Sequence, residues 1–262
     1  MQAEERQQRI EEHLQKVEFV SLDELAELLD VSISTVRRDL DLLEQNGTVR
    51  RTHGGARLTA PRSEEWVFTA RDTHQVDEKE AIGLATAELI APGQSVILDA
   101  GTTVFHVAKH LAEKKPQIIT NSLPVANLFA GSSMVEVVVS GGVIYPRLGV
   151  LMGPHAVESF SKIHADVAVM SSSGITPEGV TNSHGLLVEI QHQMIRAAQK
   201  VILCMDHTKL GRKSLSPLCS LDEVDVFVTD SEAPADAVAA LRAKGLQVVI
   251  APPATVENGT AK

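Results

Sequence analysis

The chain has 262 residues, a formal net charge of −10, 44% hydrophobic residues and only 3% aromatic ones. That is too long for a single small binding module and apolar enough for two packed cores, so two domains are expected. No apolar run reaches the roughly 20 residues that span a bilayer, the opening Met1-Gln2-Ala3-Glu4-Glu5 is too acidic for a signal peptide, and so few aromatics argue against stacking on single-stranded bases.

From Glu4 to about Val17 the pattern predicts a first helix with Ile10, Leu14 and Val17 turned inward. Ser21-Leu22-Asp23-Glu24 is a capping box opening a second short helix, whose core face is supplied by Leu22, Leu25, Ala26, Leu28 and Leu29. After the tight connection Asp30-Val31, Ser32 stands as N-cap of a third helix that stops at Asn46-Gly47. Ile33, Val36, Leu40 and Leu43 recur at helical spacing and predict its buried face. The opposite face carries Ser34, Thr35, Arg38, Asp41 and Gln45, with Arg37 on the flank. Such side chains hydrogen-bond base edges or phosphates in a major groove. Leu42, off the buried face, is expected against the hairpin that follows. That hairpin runs through Thr48-Val49-Arg50-Arg51-Thr52 and Ala56-Arg57-Leu58, around a His53-Gly54-Gly55 turn.

Three helices and a wing make a winged helix-turn-helix over residues 1–58. Residues 1–60 hold eight Lys and Arg against twelve Asp and Glu, yet residues 48–60 hold three arginines and no acid. Phosphate contact need only be local, so an acidic total does not exclude DNA. Candidate contacts to double-stranded DNA are Ser32, Ser34, Thr35, Arg37, Arg38, Arg50, Arg51, His53 and Arg57. Taken alone, the third helix also reads as an ordinary amphipathic helix with a solvated polar face.

These residues resemble the DeoR-type transcriptional regulators. The likeness lies in Glu24-Leu25-Ala26, Val31-Ser32, Thr35-Val36-Arg37-Arg38-Asp39-Leu40, Leu43-Glu44, Gly47 and Arg51-Thr52-His53-Gly54-Gly55-Ala56. The resemblance extends from about residue 4 to about residue 250. It implies an α/β protein in which a winged helix-turn-helix head precedes a mostly parallel α/β sensor domain related to the ribose-phosphate isomerase and CoA-transferase folds.

Residues 59–74 read as a linker, with Pro61 and mixed charges, and with Trp66 and Phe68 as docking points. Members of the family carry an arginine and a lysine hereabouts, which Arg71 and Lys79 match. A structural role is expected of both before a ligand role. From residue 75 to 251 helix and strand alternate. Helices are predicted at Glu78–Ile90, Thr103–Glu113, Leu123–Ala130, Leu187–Gln199 and Pro234–Lys244. Strands are predicted at Ser95–Asp99, Gln117–Thr120, Met134–Ser140, Val167–Met170, Val201–Met205, Val226–Val228 and Val248–Ile250. Short β-rich runs separated by helices imply a mostly parallel sheet covered on both faces. Cys204 and Cys219 fit no CxxC or Cys/His metal pattern and read as reduced thiols of a cytoplasmic protein. Neither a metal nor a cofactor is implied, and residues 252–262 read as a frayed tail.

Ligands bind at the carboxyl ends of such sheets. Asp99-Ala100-Gly101-Thr102-Thr103 is predicted there, where a strand hands over to a helix N-terminus whose dipole favours an anion. Asp99 repels a phosphate at close range but suits sugar hydroxyls. The bland alternative is a simple Asp/Thr cap, and the match of this stretch to the family favours a phosphate subsite. Thr120-Asn121-Ser122, Ser140-Gly141-Gly142 and Asp206-His207-Thr208-Lys209 end further strands. Each alone is an ordinary loop, and together they predict a pocket. The candidate effector contacts are Asp99, Gly101, Thr102, Thr103, Thr120, Asn121, Gly141, Gly142, Glu189, Asp206 and Lys209. Glu189 enters by resemblance to a family helix glutamate near the pocket, while Gln191 stands where many members have lysine. His184, His192 and His207 are further polar candidates.

Two functional classes compete. One is a sequence-specific DNA-binding regulator, a repressor of a sugar or sugar-acid operon released by a phosphorylated sugar, working as a homodimer or homotetramer. The other is a sugar-phosphate isomerase-like enzyme with an appended DNA-binding head, with Asp99, Glu189 and Lys209 as acid, base and anchor.

Overall fold

The computed structural model describes residues 3–14, 20–45, 49–52, 54–58 and 67–253. Its contacts divide the chain into two units, Met1–Ala70 and Arg71–Lys262. In the first unit helix α1 (Ala3–Leu14), strand β1 (Val20–Ser21), helices α2 (Leu22–Leu29) and α3 (Ile33–Gln45), and strands β2 (Val49–Thr52) and β3 (Gly55–Leu58) follow in order. β3 pairs antiparallel with both β1 and β2, so the wing joins a three-stranded sheet. Sequence reasoning missed β1, because two residues carry no period-2 signal.

Ile10, Leu14, Leu25, Leu29, Val36, Leu40, Leu43 and Val49 form one buried core. Leu28, expected in that core, is 47% exposed, as is Leu42, and Ile33 is 38% exposed. On α2 the turned-in stripe is 22-25-26-29, which leaves Leu28 on the rim. α2 starts as its capping box predicts: Ser21 Oγ accepts from the Glu24 amide at 3.2 Å, and Glu24 Oε2 accepts from the Ser21 amide at 2.8 Å. A fork from Arg6 clamps α1 to α3, with Nε donating to Asp39 Oδ2 at 2.7 Å and the terminal nitrogen to Oδ1 at 3.1 Å. Val17, Asn46, Gly47, Thr48, His53, Pro61 and Trp66 lie outside the described residues, as do residues 254–262 of the predicted tail and the side chains of Gln45, Arg50, Arg57 and Leu58.

The stretch 59–74, read as a linker, holds a short helix, α4 (Phe68–Asp72). The second unit then alternates α5 (Val76–Glu88), β4 (Ser95–Leu98), α6 (Thr102–Lys109), β5 (Gln117–Thr120), α7 (Leu123–Phe129) and β6 (Glu136–Val139). The hairpin β7 (Val143–Tyr145) and β8 (Val150–Met152) leads to α8 (Pro154–Ser161) and β9 (Ala165–Met170). β10 (Gly174–Thr176) and β11 (Gly179–Asn182) precede α9 (Gly185–Ala197), β12 (Ala198–Cys204), β13 (Ser216–Cys219), β14 (Val226–Thr229), α10 (Ala235–Ala243) and β15 (Gln247–Ile250).

Seven strands form one sheet in the order β15-β14-β12-β9-β4-β5-β6, every neighbouring pair parallel. The sheet is the predicted one. Val96, Leu98, Ile118, Val169, Ile202 and Val228 pack from it against Ile82, Val104 and Val107 of the covering helices. The small antiparallel sheet β10-β11-β13 and the β7–β8 hairpin were not anticipated. Their strands are three or four residues long, too short for a period-2 pattern, and β10, β11 and β13 also contain glycine or proline. Among the described residues no helix is long and apolar enough to cross a membrane.

Candidate functional site

Two surfaces carry chemistry, one in each unit. On α3, Ser32, Ser34, Arg37 and Arg38 are exposed and Thr35 is half-buried. Ser32 Oγ accepts from the Thr35 amide at 3.3 Å, so it does cap the helix. It also lies 2.8 Å from Ser34 Oγ and 2.9 Å from Thr35 Oγ1, which makes a compact hydroxyl cluster at the helix start. Arg37 and Arg38 make no ion pair among the described residues. Arg51 is engaged within the unit: its guanidinium pairs with Asp41, and its amide donates to Glu44 Oε1 at 3.0 Å. Arg50 and Arg57 are register partners across β2 and β3. A shallow cleft along the α2–α3 turn is lined by Asp23, Glu24, Glu27 and Asp30, a charge that repels phosphate.

In the second unit the parallel sheet brings its carboxyl ends to one edge. Asp99 follows β4 and is 4% exposed. Its Oδ2 accepts from Gln191 Nε2 at 2.8 Å and from the Ser171 amide at 3.3 Å. Burial pushes its carboxyl up, against the pull of the Ala100 amide, Gln191, the Ser171 amide and Arg71. Gly101 is required by close packing, because a Cβ there would stand 2.6 Å from Ser171 Cβ. Thr102 and Thr103 open α6 and are buried. Gly142 has φ +116 and a Cβ would meet the Met152 carbonyl oxygen at 2.6 Å, so only glycine turns the chain there; Gly141 has φ +70.

Some candidates are already committed. Thr120 Oγ1 donates to the Leu98 carbonyl at 2.7 Å and accepts from the Ser122 amide at 3.0 Å. Asp206 caps the turn after β12, accepting from the Thr208 amide at 3.1 Å. Asn121 is different. It is fully buried, its Nδ2 donates to the Leu151 carbonyl at 3.3 Å, and its Oδ1 has no partner among the described residues. A buried acceptor without a partner among the described residues, at the carboxyl edge of a parallel sheet, can take a hydroxyl donor.

Glu189 is exposed on α9, and the hydrogen bond from this helix to Asp99 comes from another residue. Two residues on, Gln191 is 2% exposed and joins the network: its Nε2 also donates to the Ser171 carbonyl at 3.0 Å, and its Oε1 accepts from Asn182 Nδ2 at 2.8 Å. Of the histidines, His207 Nδ1 lies 2.9 Å from Asp230 Oδ1 and His192 Nε2 lies 2.5 Å from the Leu218 carbonyl oxygen. His184 stacks edge-on with Tyr145 at 5.3 Å.

Two cations not placed among the effector contacts belong to this edge. Arg71 is affected by the charges of Asp99 and Asp206, while burial lowers its pKa. Lys79 is 4% exposed, and burial pulls its ammonium down to about 8, with Asp206 and Asp72 opposing and Arg71 and Lys209 adding to the fall. Both match the family's arginine and lysine, and they precede the first strand of the sheet, so the turns at the strand ends do not point to them.

A family model described as DeoR C terminal sensor domain matches residues 74–231, and one described as DeoR-like helix-turn-helix domain matches residues 6–62. The HTH-type transcriptional repressor GlcR of Bacillus subtilis (strain 168) is 35% identical over 230 residues, covering 88% of this chain and 89% of that protein. The HTH-type transcriptional regulator GolR of Listeria innocua serovar 6a is 32% identical over 230 residues, covering 87% and 91%. Among solved structures, ribose 5 phosphate isomerase A from Neisseria gonorrhoeae aligns with 50% of this chain and 52% of its own at 13% identity and a TM-score of 0.35.

Proposed function

The chain belongs to the DeoR family of helix-turn-helix transcriptional regulators, and on that premise we propose that it is a sequence-specific repressor released from operator DNA by a phosphorylated sugar. α3 enters the major groove with Ser34, Thr35, Arg37 and Arg38 toward base edges and Ser32 at its start, while the wing residues Arg50, Arg51, His53 and Arg57 hold phosphates. Arg51 exchanges Asp41 for a phosphate oxygen when it does so. The protein acts in the cytoplasm on a sugar or sugar-acid operon.

The observation that carries the effector half is the mixed polarity of the sheet edge. Buried Asp99 and the open Asn121 Oδ1 suit sugar hydroxyls, and Arg71, Lys79 and Lys209 suit a phosphate. Thr102, Thr103, Gly141 and Gly142 offer main-chain amides to the same ligand. The effector shifts the DNA-binding equilibrium only by its differential affinity for the two arrangements. The names of the relatives GlcR and GolR, a transcriptional repressor and a transcriptional regulator, support regulation over turnover. So does the exposed position of Glu189 on α9, outside the buried network around Asp99.

Fluorescence anisotropy with DNA flanking the gene, titrated with and without a panel of sugar phosphates, tests the proposal. Tight, salt-sensitive binding released by one compound is the expected result. Steady conversion of a sugar phosphate by the pure protein would overturn it.

A further inference from the structure

The turn between α4 and α5 is held by Lys79, which feels the charge of Asp206, and by His106. Lys79, on the first turn of α5, donates from Nζ to the main-chain oxygens of Arg71 and His74. The Arg71 carbonyl, in the last turn of α4, also accepts from the His74 amide at 3.3 Å, and the His74 carbonyl lies in the turn beyond that helix. His106 on α6, 1% exposed, holds the same segment through its side chain: Nε2 lies 3.2 Å from Asp72 Oδ1, and Nδ1 lies 2.9 Å from Glu80 Oε2. Between the two helices Gln75 takes left-handed backbone, φ 52, which a residue with a Cβ keeps only where its surroundings impose it. A buried ammonium is best matched by an anion, yet among the described residues Lys79 forms no ion pair and has two neutral carbonyls instead.

We propose that Lys79 is a contested clasp: a phosphate seated beside Arg71 and Lys209 draws the ammonium off the carbonyls of Arg71 and His74 and loosens the turn through which residues 1–70 continue into the second unit. The inference rests on the anion-binding reading of the pocket. It makes the backbone of residues 71–75, rather than the sheet, the first structure to register the ligand. The left-handed Gln75 is the hinge, since leaving that conformation relieves strain as the clasp opens.

Hydrogen–deuterium exchange on the full chain at neutral pH decides it. Lys79→Met should speed exchange of amides 72–78 by about tenfold and leave β4 and β5 unchanged; an unchanged rate at 72–78 would overturn the clasp. Should β4 and β5 also speed up, signalling a destabilised sheet, Lys79→Gln takes its place, with a smaller rise expected at 72–78 alone. Inorganic phosphate added to the wild type should slow exchange at 99–103 and speed it at 72–78, with nothing added at 72–78 in Lys79→Met. Protection at 99–103 without change at 72–78 would overturn the contest while leaving the pocket standing. No change at either place would overturn the anion pocket and the contest together, with the clasp itself judged by Lys79→Met.

Discussion

Arg38 stands exposed on the polar face of α3, opposite a stripe of buried aliphatics. If it reads a base edge, Arg38→Ala should cost specific binding about 1–3 kcal/mol; an anisotropy titration with unchanged affinity would remove it from the interface. Lys79 makes a pH prediction. Its folded-state pKa is about 8, below the 10.5 of the free side chain, so it is charged in the fold below about 8 and neutral above. Burying the charge therefore disfavours folding below about 8, and that cost is relieved as pH rises from about 8 toward 10.5. For an anionic effector the sign is opposite: affinity should fall between pH 7 and 9, by up to about tenfold per unit once the proton is gone. Calorimetric titration across that range checks it, and a flat affinity would place Lys79 outside the contact. Glu189 and Gln191 mark where reading single residues stopped. Leu186, Leu187, Val188 and Ile190 give the start of α9 apolar side chains around much of its circumference, so its inward face was ambiguous. Two positions on a helix differ by about 200°, and a hydrogen bond to Asp99, 92 positions away in sequence, picks Gln191.

At the scale of elements, the parts read correctly were those whose cause lies within a few residues. The capping box of α2 needs only Ser21 and Glu24, and both halves are made. Ser21→Ala should cost the head about 1 kcal/mol, seen as faster amide exchange confined to α2; unchanged protection there would make the box dispensable. The core strands of the large sheet were legible for a similar reason, since strands buried on both faces are near-continuous runs of Val, Ile and Leu. β1 and the β10-β11-β13 sheet were not. β13 joins β11 only because α9 and β12 between them return the chain to that place, and no local pattern states such a pairing.

For the whole molecule, one winged helix covers a small stretch of DNA, so paired heads on repeated half-sites are expected. Sedimentation of the full chain should show a dimer or tetramer, and monomer alone, with and without DNA, would remove paired reading. The sequence by itself determined the order of parts: a helical head with a basic wing, then alternating helices and buried strands with polar turns at the strand ends. Helix periodicity, caps and apolar runs act over a few residues, so they can be read without knowing where the chain goes next. Only the tertiary structure decided what those turns become. It set the phase of α9 that joins Gln191 to Asp99, left Asn121 Oδ1 open, and folded Arg71 and Lys79 into the field of Asp206. Those are meetings between distant positions, fixed by strand order and by how each helix packs on the sheet.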